Sequence, residues 1–447
     1  MFSFEYPETP WVIALFAVSV ACSGYFLARR RHVFDPRVFF PVVYGFALYG
    51  PCLHSLWFDE PYHHGVKIDL LPQMLGSGCT AIFGFCIGAS LAMGRFGRTP
   101  VSQTNGSGFV VLPTRHRDTA ATVRRLSAAV AVLAIFAYAY FTFQLIASQP
   151  NGGGESKSAF FDNASEGVLR GLHFSTSLCS VMLVTYIIAD SACSRRLLSF
   201  ETLLTLPLYS LVCMVGGERD FVLVGLIWMA ANWSRIAVKF RVALVTAAFA
   251  VIIIIPIIRA QGLGAGNISD GLARMDLAAA TKSLFRIAPN ATVYTSTIAM
   301  VPSGEPHWHG RSVVNAVRSF VPGQPESVHF TPMRWFADNY EKQGRSGFAF
   351  CQDAEAYLNF GFYGVPVWFG CWGLFMGTMY RRAHTYGASL VTIFVWWQSA
   401  TAFMFAIRAD IRTPLKIIVY GCIAVKAMSV TAELLNAYRR STTLRTA

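Results

Sequence analysis

Apolar stretches as long as a bilayer is thick recur along this chain and leave it few ways to fold. Trp11–Ala28, Ala128–Ile146 and Val242–Ile258 contain no Asp, Glu, Lys or Arg. At about 1.5 Å per helical residue, each crosses most of a hydrocarbon core roughly 30 Å thick. The chain is 54% hydrophobic and only 14% charged, where an ordinary soluble domain is about a quarter charged, so a soluble globular fold is excluded. The pattern predicts an all-α polytopic integral membrane protein with about eleven transmembrane helices. They fall near 10–28, 37–56, 70–94, 127–147, 171–190, 200–216, 218–233, 242–258, 354–380, 388–406 and 414–431. Helices one to eight thus occupy 1–258, a long polar outer-face loop domain with short helices occupies 259–350, and the last three helices and a tail occupy 351–447.

A net charge of +13 raises the question of nucleic acid. The basic residues, however, fall mostly in the connections, and no ribonucleoprotein signature or basic-aromatic groove is present. Nucleic acid is therefore set aside. Arg29–Arg31, Arg95, Arg98, Arg124, Arg125, Arg195, Arg196, Arg381, Arg382, Arg439 and Arg440 crowd one side, and fewer basic residues, among them Lys67, Arg170 and Lys416, lie on the other. Positive charge marks the cytoplasmic side, so the amino terminus is expected outside and the carboxyl terminus inside. Met1–Pro10 has no Lys or Arg, which reads as the start of a retained span rather than a cleaved signal. The cysteines are scattered, most of them in apolar stretches, and form no disulfide framework or zinc-ligand spacing.

Candidate chemistry lies on the outer side. The turn Gly216–Asp220 joins two short spans and must sit sunken in the outer leaflet, where Arg219 either pairs with Glu218 and Asp220 or faces an anionic ligand. Arg408, Asp410 and Arg412 form a second basic cluster, and Arg259, Arg311 and Arg318 add to it from the loop. Guanidinium groups match phosphate oxygens with two parallel hydrogen bonds, so this collection suits a diphosphate head group. At the start of the ninth span, Glu355 and Asn359 share a helix face, and Gly361 and Gly364 follow, where another backbone or a ligand can come close. Glu355 is a candidate general base or sugar-hydroxyl ligand; Asp353 reads as a partner of the helix dipole. His307, Trp308 and His309 form a weaker signal, with Trp308 able to stack on a sugar or simply to pack. Within the loop, 269–286 reads as an amphipathic helix lying on the membrane surface or over a cavity.

Taken in order, these stretches resemble the oligosaccharide repeat unit polymerases, the O-antigen polymerase-like family. The matching runs are Gly217-Glu218-Arg219-Asp220; the loop from Val301-Pro302 through His309-Gly310-Arg311-Ser312 to Phe320-Val321-Pro322; Glu355-Ala356-Tyr357-Leu358-Asn359-Phe360-Gly361-Phe362-Tyr363-Gly364-Val365; and Arg408-Ala409-Asp410. They cover the second half of the chain. The resemblance implies a bacterial inner-membrane glycosyltransferase, independent of metal and cofactor, acting on the outer face. It would join undecaprenyl-diphosphate-linked oligosaccharide repeat units into O-antigen or exopolysaccharide, in contact with membrane lipids and a chain-length regulator protein. Arg219, Arg259, Arg311, Arg318, Arg408 and Arg412 would hold the diphosphate. Glu355 or His309 would serve the acceptor hydroxyl, and Asn359, Gly361, Gly364, Trp308 and Asp410 would shape the sugar site. Pro322 is followed by Gly323, Gln324 and Pro325, where the family often has a basic residue, so Arg311 or Arg318 is expected to cover that role.

Two alternatives stay open. An O-antigen ligase would share the spans, the loop and the donor lipid. A polysaccharide or anion transporter would require charge or broken helices near mid-membrane and usually repeated halves; the sequence has no internal repeat, and the predicted spans hold almost no charge at mid-depth.

Overall fold

The computed structural model describes residues 6–29, 34–58, 66–94, 114–147, 165–193, 199–215, 220–237, 239–244, 246, 290–301, 307–320, 332, 335–336, 350–385, 388–406 and 409–446. Among these the protein is all-helical, with no strand. The helices are α1 (Thr9–Ala28), α2 (Pro36–Phe58), α3 (Leu71–Met93), α4 (Thr114–Ala147), α5 (Glu166–Cys193), α6 (Phe200–Val215), α7 (Asp220–Ala231), α8 (Asn290–Met300), α9 (Arg311–Arg318), α10 (Gln352–Ala383), α11 (Leu390–Ala406) and α12 (Arg412–Thr446). Helices thus stand at the expected positions, except that most of 242–258 lies outside the described residues. Among the described residues, five segments are long and apolar enough to cross a membrane: Thr9–Ala28, Ile68–Met93, Asp118–Ala147, Glu166–Cys193 and Arg412–Arg439. Phe200–Val215 and Leu390–Ala400 are apolar but shorter. Of the expected loop domain, the structure describes chiefly α8, α9 and their flanks; the helix expected at 269–286 lies outside the described residues.

The chain forms two compact units. The first comprises Met1–Thr99, Phe285–Arg381 and Ser399–Ile418; the second comprises Pro100–Leu284, Arg382–Gln398 and Val419–Ala447.

In the first unit α1, α2 and α3 pack together. Ser23 of α1 donates to the Val38 carbonyl of α2 at 2.7 Å. Arg37, 1% exposed, bonds Asp35 through Nε at 3.0 Å and Nη2 at 2.8 Å, with its guanidinium 4.6 Å from the Phe26 ring. A basic residue at the start of α2 is therefore a buried structural one. Along α3 and α10 backbone meets backbone: a Cβ on Gly88 would fall 2.0 Å from the Gly370 carbonyl oxygen, and one on Gly373 would fall 2.1 Å from that of Phe85. In lipid, where apolar side chains gain nothing by leaving their surroundings, such close packing of small residues holds helices together.

The expectation of one continuous helix over 354–380 needs correction. Gly361 has φ 67° and ψ −168° inside α10, a region open essentially to glycine alone, and the chain reverses there. Gln352 Oε1 accepts hydrogen bonds from Trp368 Nε1 at 2.8 Å and Trp372 Nε1 at 3.3 Å. In a straight helix those residues would be about 24 and 30 Å from Gln352. A Cβ on Gly364 would likewise lie 3.4 Å from the Ala356 carbonyl oxygen. Residues 352–360 therefore form a short helix folded back against 362–383, with its amino end about 9–15 Å along that longer helix.

In the second unit α4 and α5 pack along much of their length. A buried group of Val123, Ala189 and Ala432 joins α4, α5 and α12, with Leu390 against it. Arg124 reaches from α4 to Asp190 of α5 at 3.3 Å and Glu201 of α6 at 3.2 Å. Tyr186 adds hydrogen bonds to the hydroxyls of Ser199 and Thr202 at 2.6 and 2.5 Å.

Candidate functional site

The short helix 352–360 buries several polar side chains. Gln352, Asp353, Glu355 and Asn359 are at most 1% exposed. An apolar helix would need no such residues, and burial of unsatisfied polar groups costs free energy, so their partners define what the segment is for.

Two contacts fix its amino end. Gln352 Nε2 donates to the Ala409 carbonyl at 3.1 Å, and the Ile411 backbone N–H donates to Glu355 Oε2 at 2.7 Å. The turn before α12 is thus fastened to the first turn of α10. Asp410, 7% exposed, lies in that turn and accepts from the Thr413 N–H at 3.4 Å. It is close enough for its charge to act on Glu355, and the Ser312 hydroxyl also lies beside that carboxyl. Glu355 Oε1 is buried without a partner at hydrogen-bond distance among the described residues. With one oxygen anchored by a backbone N–H and the Ser312 hydroxyl beside the carboxyl, Glu355 is held in one orientation and, in its ionised form, can accept a proton or a hydroxyl hydrogen bond.

The carboxyl end is fastened by the loop before α9. Trp308 N–H donates to the Leu358 carbonyl and His309 N–H to the Asn359 carbonyl, both at 3.0 Å, which satisfies helix-end carbonyls that would otherwise lack partners. The Asn359 side chain ties three segments together. Its Oδ1 accepts the Gly310 N–H at 2.9 Å, and its Nδ2 donates to Ser312 Oγ and the Glu355 carbonyl, both at 2.8 Å. The loop bends through His309 at φ 47° and Gly310 at φ 88° to begin α9. His307 lies against Tyr357, ring centroids 5.9 Å apart. The α9 face bearing Arg311, Val314, Val317 and Arg318 is exposed, while Ser312 and Ala316 are buried.

The structure thus brings together Glu355, Asn359, Gly361, Gly364, Trp308, His309, Arg311 and Asp410, residues drawn from three distant stretches. Trp308 is 9% exposed and meets Trp335 edge-on at 5.3 Å, so packing is its visible use. His309 is exposed, and its backbone N–H rather than its ring makes the contact with Asn359. Arg412 begins α12 beside Asp410, and its charge acts on that carboxyl. Arg318 is exposed at the far end of α9. Arg219, Arg259 and Arg408 lie outside the described residues. The sequence reading had no role for Ser312 or Gln352; Ser312 stood in the run His309–Ser312 without a chemistry of its own, and Gln352 carried no local signal.

Among the described residues no group of three or more His, Cys, Asp or Glu could hold a metal ion. No family model matches this chain, and neither a curated protein nor a solved structure does.

Proposed function

We propose that this chain is a membrane glycosyltransferase that polymerises oligosaccharide repeat units carried on undecaprenyl diphosphate. In this reading its helices cross the bacterial inner membrane eleven times, with the amino terminus outside and the site opening to the outer leaflet. The observation that carries the reading is the meeting of Glu355, Asn359 and the His307–Ser312 loop with the turn at Asp410. Those belong to three of the four runs on which the resemblance rests, and they are separated in sequence by tens of residues.

The chemistry follows from the geometry. Glu355 Oε1 takes the proton of the acceptor sugar's hydroxyl as that oxygen attacks the anomeric carbon of the donor glycan. The bond from that carbon to the diphosphate breaks, and the leaving group's growing negative charge is stabilised by arginines, with Arg311 and Arg412 beside the site. Asn359 and Ser312 hold the loop against the helix that bears the base.

The test is a gel of surface polysaccharide from a deletion strain complemented with the parent chain or Glu355→Gln. A single-repeat band with no ladder in both the deletion and the variant is expected. A bare core with accumulated lipid-linked glycan would instead identify a ligase. One observation favours a second reading: a broken helix carrying acids well inside the fold is also how transporters build substrate sites. In that case the lipid-linked repeat units would accumulate on the cytoplasmic face of the deletion strain.

A further inference from the structure

The folded-back helix carries two acids in its first turn, and the proposed chemistry uses one. The other, Asp353, is wholly buried. Residues two apart on a helix do not share a face, so Asp353 looks away from Ile411 and toward α2 and α8. There its Oδ1 is hydrogen-bonded to the Tyr44 hydroxyl, and its Oδ2 is buried without a partner among the described residues.

The titratable groups around it come from three elements. Tyr44 of α2 stacks on Phe40 at 5.0 Å and lies 4.9 Å from the Phe369 ring. Tyr294 of α8 has its hydroxyl 2.8 Å from Ser77 of α3, and Cys351 and Glu355 flank Asp353 in the chain; these groups sense the Asp353 charge or one another's. None of them is a cation. A carboxylate here would be a full charge among aromatic rings, solvated only by the Tyr44 hydroxyl and its own backbone N–H. The favourable dipole of a short helix is the smaller term against that loss of hydration.

We propose that Asp353 is held as the neutral carboxylic acid and acts as a positioning residue, its hydrogen bond to Tyr44 pinning the start of the folded-back helix to α2. That bond sets how far the helix reaches into the fold, and so where Glu355 meets the Ile411 N–H. The consequence for Glu355 rests on the polymerase reading; the protonation and the anchor do not.

Infrared difference spectra of the full-length chain in nanodiscs read the proton directly. Parent minus Asp353→Asn at neutral pH is expected to show the C=O stretch of a protonated carboxyl; carboxylate bands in its place overturn the proposal. Tyr44→Phe is expected to move that stretch to higher frequency as the hydrogen bond is lost, and an unmoved stretch overturns the anchor. In the polymerisation assay, Asp353→Ala is expected to lower kcat about tenfold or more at similar KM, with Asp353→Asn restoring it across the same pH profile. Equal loss in both variants overturns the neutral role. Glu355→Gln and a deletion strain run alongside separate the two ideas: a normal ladder from the deletion removes the polymerase reading, a normal ladder from Glu355→Gln removes its role as base, and either leaves the spectroscopic result standing.

Discussion

Buried acids occur in both units of this protein, and they keep different company. In the second unit buried Asp190 and the partly exposed Glu201 share the guanidinium of Arg124 at 3.3 and 3.2 Å, and in the first buried Asp35 is closed on Arg37 at 2.8 Å. On the folded-back helix, Glu355 has a backbone N–H and Asp353 a tyrosine hydroxyl, with no ion pair to either among the described residues. Acids neutralised by a guanidinium hold helices in place, and their chemistry is spent on the pair. Acids left with neutral donors retain a proton affinity that a substrate or a protein conformation can use.

The sharpest way to break this contrast is Glu355→Gln, which keeps the shape and removes the base. Polymerisation is expected to fall about 100-fold or more, read on gels, with membrane abundance unchanged on blots; a stable and fully active variant would place Glu355 with the structural acids. Next in size is Arg124→Met, which leaves Asp190 buried without its counter-charge. A loss of about 3 kcal/mol in stability is expected, measured by unfolding in detergent, with Asp190→Asn restoring most of it. Unchanged stability would erase the distinction from the other side. Gly361→Val forces a side chain into a backbone region that only glycine occupies comfortably, at a cost of about 2 kcal/mol. Lower accumulation of the full-length chain checks it. The smallest effect is expected from Asp410→Ala, which removes a cap on Thr413 at the start of α12 and costs about 1 kcal/mol, seen as a small shift in the same unfolding curve.

The sequence announced the helices wherever long apolar runs occur, because length and hydropathy are local properties of a lipid-facing segment. It did not announce the reversal at Gly361. From Ala356 to Tyr380 there is no Asp, Glu, Lys or Arg, so the run reads as one span, and the evidence against it is contact between residues 16 and 20 apart. The same fold-back lays Asp353 and Glu355 against a run that reads as uncharged. Within the site, Glu355 and Asn359 were legible from their one-turn spacing. Their partners were not: the Ile411 contact is made by a backbone N–H, and Ser312 is a hydroxyl in a polar loop, neither of which has a sequence signature.

The fold-back has a consequence for how the chain is made. A segment bearing Gln352, Asp353, Glu355 and Asn359 gains nothing by partitioning into lipid on its own, and its anchor Tyr44 was synthesised 309 residues earlier. The stretch can therefore dock only once α2 is in place, as a plug into a prepared socket. Chains truncated before Gln352 would insert their early helices and still leave that socket unfilled.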